Sequence, residues 1–566
     1  SARIFKKGTL VNYILAAVFY GAALASKTAA MPVGLVIFTA HLLYYFSLKA
    51  KTRAESERRK EAWINMAWAV LITAVAFFIF MPYAVLDMKK FTGDQNYQKN
   101  ILVTGEGDVP YNRQYRNTTP YLYQIDNLVK YTMGIPYGTA ALIALLFYVF
   151  MFFRNLIKYG EIKDKETLLI LAWVVPFFLI IGMSFAKFNR YLIPMTPFLA
   201  ILTAKFLYDL YEKTKFKKSA LVLRYVVVAG AVFYGLAFMN IYSQKHTWVQ
   251  ASEWFYRNVP AMDNTVNPPK QTTVLNEMWG DDLPTYAANG HPGMYRGLHW
   301  ALQEPDTTWK YEELSSKLSQ SDYVVMADRR AKGTYLRLPQ KYPINYFYYS
   351  TMLSNPEKLG FKLAYEKAVY PSLFGIDIKD DKSDESFQLY DHPHVHIFKN
   401  EAYFSKEQLR ELIIQGESEV KAKFGTQQNF KTEKGAFNAN IGKIRDTVAP
   451  VMPYISVFMW YVLIQVLALI IWPMHSKVFG ALKDKGYGLA KISGLFVFTW
   501  LNWILVSLKV WNFYQINLWI LLFAAAAVSV RYTLKNRKET ADFYSANRQH
   551  IILTETLFLG AYMLFV

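Results

Sequence analysis

Long apolar stretches separated by short polar links run through most of the chain. About 20 apolar residues in helical geometry cross the hydrocarbon core of a bilayer, and most of these stretches approach or reach that length. The pattern predicts about eleven membrane spans and hence a polytopic α-helical membrane protein. The predicted spans lie at 9–26, 29–48, 62–86, 139–153, 167–183, 191–211, 220–242, 449–472, 489–508, 516–530 and 551–566.

Links rich in Lys and Arg recur at intervals that predict the orientation of the spans. The basic links lie at 49–60, 154–166, 213–218, 477–485 and 531–548. All of them fall on one side when the spans alternate, and short basic loops stay cytoplasmic. The same alternation places three polar parts of the chain on the extracytoplasmic side: the loop 87–138, the turn 184–190 and the long segment 243–447.

The long polar segment is the size of a separate domain and mixes two periodicities. Short apolar or β-branched runs predict strands at 272–276, 323–327 and 395–398. Helical spacing occurs at 251–258 and 406–415. Ser405, followed three residues later by Gln408, fits a capping box at the start of the second helix.

These patterns predict three modules. Residues 1–243 form a first transmembrane module with its outer loop at 87–138. Residues 244–448 form an extracytoplasmic soluble α/β domain, and residues 449–566 form a second transmembrane module that is incomplete. The sequence starts without Met and stops inside an apolar run, so we expect it to be a piece of a longer protein.

Charge and composition change this picture little. The formal net charge of +20 would suggest nucleic acid in a soluble protein, but cationic loops on one membrane face account for it, so no nucleic-acid partner is expected. The chain has no Cys, which excludes disulfides, thiolate metal sites and a Cys nucleophile.

The turn between the spans 167–183 and 191–211 carries two cations, Lys187 and Arg190. Arg offers a planar fork to phosphate oxygens, and Lys offers a point charge. One interpretation is a binding site for the phosphate of a lipid carrier on the outer face. The other, which residue chemistry alone favours, is that both cations anchor the hairpin among lipid headgroups.

The loop 87–138 has a segment dense in Tyr and Arg, which includes Tyr111, Arg113, Tyr115 and Arg116. Aromatic rings stack on the apolar faces of sugars, and Arg forks bind phosphate. The segment therefore predicts either a sugar or phosphate site or a packed aromatic cap over the helices.

Four residues follow a predicted strand in the α/β domain: Glu277, Trp279, Asp281 and Asp282. Carboxylates at the carboxyl end of a strand, beside a Trp, are suited to a sugar, an acceptor or a divalent cation. The alternative is a plain turn, because Gly-Asp-Asp-Leu-Pro is good turn chemistry.

Three His alternate along a predicted strand at 391–398, namely His392, His394 and His396. Zinc is one interpretation, because side chains two residues apart share a strand face. Three imidazoles so close on one strand rarely converge on one ion, and the nearby sequence shows no further ligand. We therefore expect a solvated strand face without bound metal.

The order of these segments resembles the GT-C membrane glycosyltransferases, specifically glycosyltransferase family 39, which includes the protein mannosyltransferases. The likeness lies in residues 21–27, 120–128, 134–136 and 187–194. A closer resemblance is to large multi-spanning proteins of archaea and Chloroflexi labelled by a Tyr-Tyr-Tyr domain. The segments that carry it are 251–254, 277–284, 359–361, 387–398, 486–488, 500–503 and 555–558.

The resemblance implies a cell-membrane enzyme that takes sugar from a polyprenyl-phosphate donor on the extracytoplasmic face. The donor is a substrate, no bound cofactor is implied, and the acceptor is a protein or a glycan. Lys187 and Arg190 match the family's cations that face the donor phosphate. The family's catalytic carboxylates are expected upstream of residue 1, so no catalytic residue can be named.

A second function class stays open from the sequence. In it the chain is a non-catalytic structural or assembly subunit of a larger membrane complex, and the outer domain docks partners. A transporter is disfavoured, because few charges within the predicted spans line up as a pathway.

Overall fold

The computed structural model describes residues 1–49, 51–106, 109–263, 268–278, 280–287, 290–425, 453–480, 482 and 484–565. The chain divides into two compact units. The first unit is Ser1–Phe80 with Lys89–Gly435, and the second is Met81–Met88 with Ala436–Val566. Most of the predicted module 1–243 and the described part of the predicted module 244–448 thus share one compact unit.

Most of the first unit before residue 243 is helical. Its long helices are α1 (Leu10–Ser26), α2 (Val33–Ser47), α3 (Arg53–Phe80), α4 (Ile135–Tyr159), α5 (Lys165–Met183), α6 (Thr196–Lys213) and α7 (Lys217–Met239). Shorter helices lie at Ala2–Lys6, Met88–Gln98, Pro110–Tyr115 and Leu122–Asn127. The predicted loop 87–138 therefore has helical structure of its own.

Within the described residues, nine helical segments are long and apolar enough to cross a membrane. This agrees with the prediction of a polytopic α-helical membrane protein. Two predicted spans fall outside that set: α1 is apolar but has only 17 residues, and the helix Arg548–Phe565 is not among the nine.

Helix α3 departs from its predicted bounds at both ends. It begins at Arg53, inside the predicted basic link, because Arg, Lys and Glu are good helix formers. It ends at Phe80 instead of residue 86, since a Pro at 82 disfavours helical backbone at Met81. A separate short helix follows at Tyr83–Leu86.

The polar segment of the first unit, which we call the insert (residues 244–425), contains a five-stranded sheet. Its strands are β1 (Thr273–Glu277), β2 (Arg296–Trp300), β3 (Tyr323–Met326), β4 (Phe361–Lys367) and β5 (Val395–Asn400). They are ordered β2-β1-β3-β5-β4, with β1 parallel to β2 and β3 and with β5 antiparallel to its neighbours. Pairs of two-residue strands lie at Met262–Asp263 with Lys270–Gln271, and at Ser372–Leu373 with Ile376–Asp377.

Helices cover both faces of the sheet. They are α8 (Thr247–Asn258), α9 (Thr308–Gln320), α10 (Pro343–Ser354) and α11 (Lys406–Phe424), with short helices at Lys332–Tyr335 and Glu385–Gln388. Leu275 and Val324 pack into the core shared with α9 to α11. Val274 and Val325 pack into the core shared with α8, as alternation along a strand requires.

All three predicted strands and both predicted helices of the insert are present, and the capping box of Ser405 and Gln408 is confirmed. The sequence reasoning missed β2 and β4, the two edge strands. Both are largely exposed, so they lack the apolar runs by which buried strands are recognised.

The second unit contains the helices α12 (Pro453–Val478), α13 (Ala490–Ser507), α14 (Gln515–Lys535), α15 (Arg537–Ala546) and α16 (Arg548–Phe565). An ion pair and a hydrogen bond join three of them. Glu555 Oε1 lies 2.6 Å from the Nζ of buried Lys491, and Gln465 Nε2 donates to Glu555 Oε2 at 2.7 Å. A carboxylate on an apolar helix is thus neutralised by a cation from another helix, as a low-dielectric environment demands.

Candidate functional site

The insert is held against the segment 110–127 by buried hydrogen bonds centred on Asp384. The hydroxyls of Tyr115 and Tyr123 donate to Asp384 Oδ2 at 2.7 and 3.3 Å. The Asp384 backbone N–H donates to Asn127 Oδ1 at 2.7 Å. Tyr115 and Asp384 are both buried, and burial raises the pKa of Asp384. Tyr115 therefore packs the insert onto the helical part of the unit.

Arg113 also takes part in the contact between the insert and the segment 110–127. Its guanidinium donates to the Tyr335 hydroxyl at 2.6 Å and to the Gln303 carbonyl at 2.8 Å, and it lies 4.7 Å from the centre of the Tyr342 ring. Only 5 % of Arg113 is exposed. Of the two interpretations open from sequence, the structure places Tyr115 and Arg113 in packing.

The turn 184–190 forms a small aromatic cluster with this segment, which we call the tip cluster. Phe185 and Ala186 donate backbone hydrogen bonds to the carbonyls of Val103 and Leu102, at 3.1 and 2.9 Å. Gly105, at φ +71°, lets the Phe185 ring approach where a Cβ would clash. The cluster consists of Tyr115, Ala186 and Phe188, with Leu102, Tyr111, Tyr123, Phe185 and Tyr191 around them.

Lys187 lies inside the tip cluster with its charge unneutralised. It is 3 % exposed, and its Nζ donates to the Phe185 carbonyl at 3.0 Å. No carboxylate of the described residues lies within ion-pair distance of it. Burial lowers the pKa of Lys187 to about 8. Because a buried cation without a partner is unfavourable, the position is suited to an anionic ligand.

Arg190 and Lys27 lie at the surface of the same cluster. The Arg190 guanidinium stacks 4.1 Å from the centre of the Phe188 ring, and Lys27 Nζ lies 4.9 Å from the centre of the Tyr191 ring. Both cations are exposed. Lys187 and Arg190 thus differ from the pair on one outward surface that the sequence predicts: one is buried and the other exposed. Arg116 lies over Phe185 at 5.5 Å, at the edge of the cluster.

Sequence reasoning missed Asn189. The side chain is 6 % exposed, and neither its Nδ2 nor its Oδ1 has a hydrogen-bond partner among the described residues. Buried amides are normally satisfied by protein, water or ligand. Asn189 therefore adds an unused buried donor two residues from Lys187 in the chain, and its place between the two cations in the sequence is the signal that could have found it.

A second group of polar residues lies at the carboxyl ends of β1 and β3. The chain leaves β1 toward β2 on one side and leaves β3 toward the opposite edge of the sheet, so the crevice between them is a topological switch point. Glu277 ends β1 and Asp328 follows β3. Both are buried, and Glu277 Oε1 and Asp328 Oδ2 lack partners among the described residues.

Lys332 completes this crevice. Its buried Nζ donates to the His394 carbonyl at 2.7 Å and lies 2.8 Å from His396 Nδ1. Burial raises the pKa of Glu277 to about 8 and lowers that of Lys332 to about 8. The adjoining cavity is about 20 Å³, enough for one water or ion and too small for a sugar ring.

The neighbouring predicted residues do not line this cavity. Asp281 and Asp282 are exposed, and Asp282 Oδ1 lies 2.8 Å from His299 Nε2. Trp279 lies outside the described residues. Of the three predicted residues that the structure describes here, only Glu277 lies in the crevice, where it joins Asp328 and Lys332, which the sequence did not single out.

Replacing Glu277 by Gln is expected to flatten the pH dependence of stability between about pH 5 and 8. The folded-state pKa of Glu277 is raised to about 8, so the folded state holds a proton that the unfolded state releases near pH 4.5. Stability therefore falls as pH rises through this window, by up to about 1.4 kcal/mol per pH unit. Thermal unfolding of the parent and the variant from pH 5 to 8 measures how stability changes with pH. If stability falls equally in both proteins, the prediction is wrong.

The His-rich segment differs from the predicted strand. Strand β5 begins only at Val395, so the prediction of a strand over 391–398 is wrong at its start, where His392 instead pairs with Asp380 at 2.7 Å. His394 and His396 stack at 4.3 Å. Glu366 of β4 lies beside them, with its Oε1 2.7 Å from His394 Nε2, because the sheet pairs Glu366 with His396.

We expect no stoichiometric zinc at Glu366, His394 and His396, although their ligand atoms lie within 4.8 Å of one another. A Lys332 ammonium that donates to His396 Nδ1 leaves the ring's proton on Nε2, the nitrogen that faces Glu366. A metal ion could bind His396 Nε2 only by displacing this proton, at a position close to the Lys332 ammonium. Elemental analysis of the purified protein tests this; one zinc per chain that is lost in His394→Ala would contradict it.

No family model matches the chain, and no curated protein and no solved structure matches it. The functional argument therefore rests on two arrangements. The tip cluster offers a buried cation, an unused amide and two surface cations. The crevice of the insert offers two buried carboxyls that line a cavity the size of one water molecule, with the buried amine of Lys332 nearby.

Proposed function

We propose that this chain is part of a membrane glycosyltransferase that uses a polyprenyl-phosphate-linked sugar, with the donor phosphate held at the tip cluster. The observation that carries the proposal is the buried ammonium of Lys187, which has no carboxylate partner among the described residues. An anion with several oxygens neutralises that charge and accepts a hydrogen bond from Asn189 Nδ2. The family resemblance of residues 187–194 supports the same assignment.

Three groups divide the recognition of the phosphate. Arg190 is exposed and meets the headgroup first, with a fork that can donate two parallel hydrogen bonds. Lys187 and Asn189 lie deeper and bind the remaining oxygens. The Tyr191 ring, whose centre lies 5.6 Å from the Arg190 guanidinium and which is partly exposed, offers an apolar surface to the first isoprene units.

The same cations suit the chemistry of transfer. When the sugar leaves its donor, negative charge grows on the departing phosphate, and fixed positive groups stabilise it. The acceptor hydroxyl, on a protein or a glycan, needs a general base to take its proton. In the family that the sequence resembles, a carboxylate takes this role.

We place the tip cluster and the insert on the extracytoplasmic face. Helix α5 has 19 residues and is about 28 Å long, close to the thickness of a bilayer core. It begins beside the basic link 154–166, which the positive-inside rule assigns to the cytoplasm, and it ends at the tip. The insert bonds to the segment 110–127, which packs on the tip, so all three share a side.

The alternative, an assembly subunit without activity, has an observation in its favour. The insert is fixed to the segment 110–127 by the buried hydrogen bonds of Asp384 and Arg113. A rigid platform of this kind suits docking of other subunits of a membrane complex. An assembly subunit does not need Lys187 to bind phosphate, so a measurement of phosphate binding distinguishes the two functions.

The test is binding of a polyprenyl phosphate to the full chain in detergent, with the matching uncharged polyprenol as control. We expect the phosphate to bind and the alcohol to bind far more weakly, because the cluster recognises charge. Equal binding of both would show that only the isoprenoid chain is recognised. Absence of binding by either would favour the assembly subunit.

A further inference from the structure

A cavity of about 840 Å³ lies between the ends of α4, α5 and α6, far from the tip cluster. Its lining includes the link between α4 and α5, where α5 begins, whereas the tip cluster follows the end of α5. The length of α5, about 28 Å, therefore separates the two. If the tip faces one leaflet, this cavity faces the other. Its volume lies in the range of small-molecule sites.

One wall of the cavity is apolar and comes from membrane helices. Phe147 and Met151 of α4 and Phe206 of α6 line it, and the rings of Phe147 and Phe206 lie 5.2 Å apart. Phe147 is also exposed on the outer surface of the helices. A wall of this kind is suited to hydrocarbon chains entering from the bilayer.

The other wall is charged, and its acids are mostly neutralised. Asp164 and Asp209 share Lys205, at 3.1 and 3.2 Å, and Asp209 also binds Lys213 at 2.9 Å. Asp164 in addition caps α5 by accepting from the Thr167 N–H at 3.0 Å. These two carboxylates are therefore not available to other cations.

Three lining cations, in contrast, have no ion-pair partner among the described residues: Arg154, Lys163 and Lys165. Lys163 and Lys165 have only aromatic neighbours, at 3.8 Å from the Tyr159 ring and 5.9 Å from the Phe5 ring. Of the lining acids that do not bind Lys205, Glu166 contacts Lys6 at 3.7 Å, and only Glu161 is left. Three unpaired cations against one unpaired acid leave the rim positive.

We propose that this cavity binds the headgroup and the upper acyl chains of an anionic phospholipid from the adjacent leaflet. The phosphate meets Arg154, Lys163 and Lys165, and the chains run along Phe147, Met151 and Phe206. Basic pockets between membrane helices on the cytoplasmic side recognise anionic headgroups in this way. The proposal is independent of any donor bound at the tip cluster.

The experiment compares lipid retention by the full chain in detergent, measured by native mass spectrometry with added phosphatidylglycerol or phosphatidylcholine. The test variant is Arg154→Gln with Lys163→Gln and Lys165→Gln. Each cation near an anionic surface contributes about fivefold in affinity, so the variant should bind phosphatidylglycerol roughly a hundredfold more weakly. Phosphatidylcholine should bind weakly to both proteins.

The matched control variant replaces Lys215, Lys217 and Lys218 with Gln. These lysines lie on the same predicted side of the membrane as the cavity but do not line it. We expect this variant to retain phosphatidylglycerol like the parent. Equal losses in both variants would reduce the effect to surface charge and overturn the proposal. Displacement of the lipid by inorganic phosphate would show a phosphate site without lipid specificity and would also overturn it.

Discussion

Lys187→Met is expected to lower the affinity for polyprenyl phosphate by roughly ten- to a hundredfold while making the protein more stable. A hydrogen bond to a charged group contributes about 1.5 to 3 kcal/mol, which gives that loss. The gain in stability follows because the ammonium is buried and has no carboxylate partner in the part of the chain that the structure describes. An apolar side chain of similar length removes that penalty. Binding assays and thermal unfolding of the same samples measure both effects.

The opposite signs of the two effects distinguish this role from a structural one. If Lys187 served only to hold the turn 184–190, its replacement would lower stability and leave affinity unchanged. The pH dependence gives a further check. Because the folded-state pKa of Lys187 is lowered to about 8 from 10.5, its unfavourable contribution is present below pH 8 and is relieved as pH rises toward 10.5. Lys187→Met should lose this rise.

Arg190 offers the matched comparison, because its charge can be kept while its geometry changes. We expect Arg190→Lys to weaken phosphate binding by about ten- to a hundredfold, since an ammonium cannot make two parallel hydrogen bonds. Arg190→Ala should do so at least as strongly. Anchoring among lipid headgroups predicts instead that Arg190→Lys is silent, and a silent result in both variants would end the phosphate assignment.

Asp306→Ala is expected to destabilise the insert by about 3 to 5 kcal/mol, the cost of breaking a buried ion pair by removing one partner. Asp306 Oδ1 lies 2.7 Å from the Nζ of Lys310, and the two side chains are 5 % and 0 % exposed. Asp306 Oδ2 also accepts from the Ile344 N–H at 2.7 Å. The variant leaves a buried ammonium with only the carbonyls of Leu302 and Glu304.

The measurement is hydrogen exchange of the amides of α9 and α10 in the full chain, with Glu313→Ala as the control. Glu313 and Lys317 also form a pair one turn apart on α9, at 3.9 Å, but both are partly exposed. Their loss should cost about 0.5 kcal/mol or less. Similar protection in Asp306→Ala and the control would show that burial does not strengthen this pair as we expect.

Some elements of the fold can be recognised from the sequence, and others cannot. The long apolar helices and the central strands β1, β3 and β5 are visible in the sequence, because each must bury apolar side chains over its whole length. The edge strands β2 and β4 are largely exposed, so neither carries the continuous apolar run that marks a buried strand. Pro82 indicates that α3 ends near Phe80, but the predicted span continued past it to residue 86.

The candidate sites, in contrast, depend mostly on contacts that the local sequence does not reveal. Lys187 and Arg190 are three residues apart, and this spacing predicted a pair on one surface, but the packing of Phe188 leaves one cation buried and the other exposed. Glu366 and His394 are 28 residues apart and become neighbours only through the pairing of β4 with β5. Glu277 and Asp328 come to one end of the sheet in the same way, because β1 and β3 are paired.

The sequence by itself thus determined the elements whose signal is local: apolar helices, central strands, a capping box and the residue types available for phosphate. Only the tertiary structure decided which side chains are buried without partners and which are taken by packing. Arg113 is drawn into the insert, whereas among the described residues Lys187 has no carboxylate partner and the side chain of Asn189 has no hydrogen-bond partner. The physical reason is that burial and ion pairing depend on contacts between segments far apart in the chain, which no local pattern records.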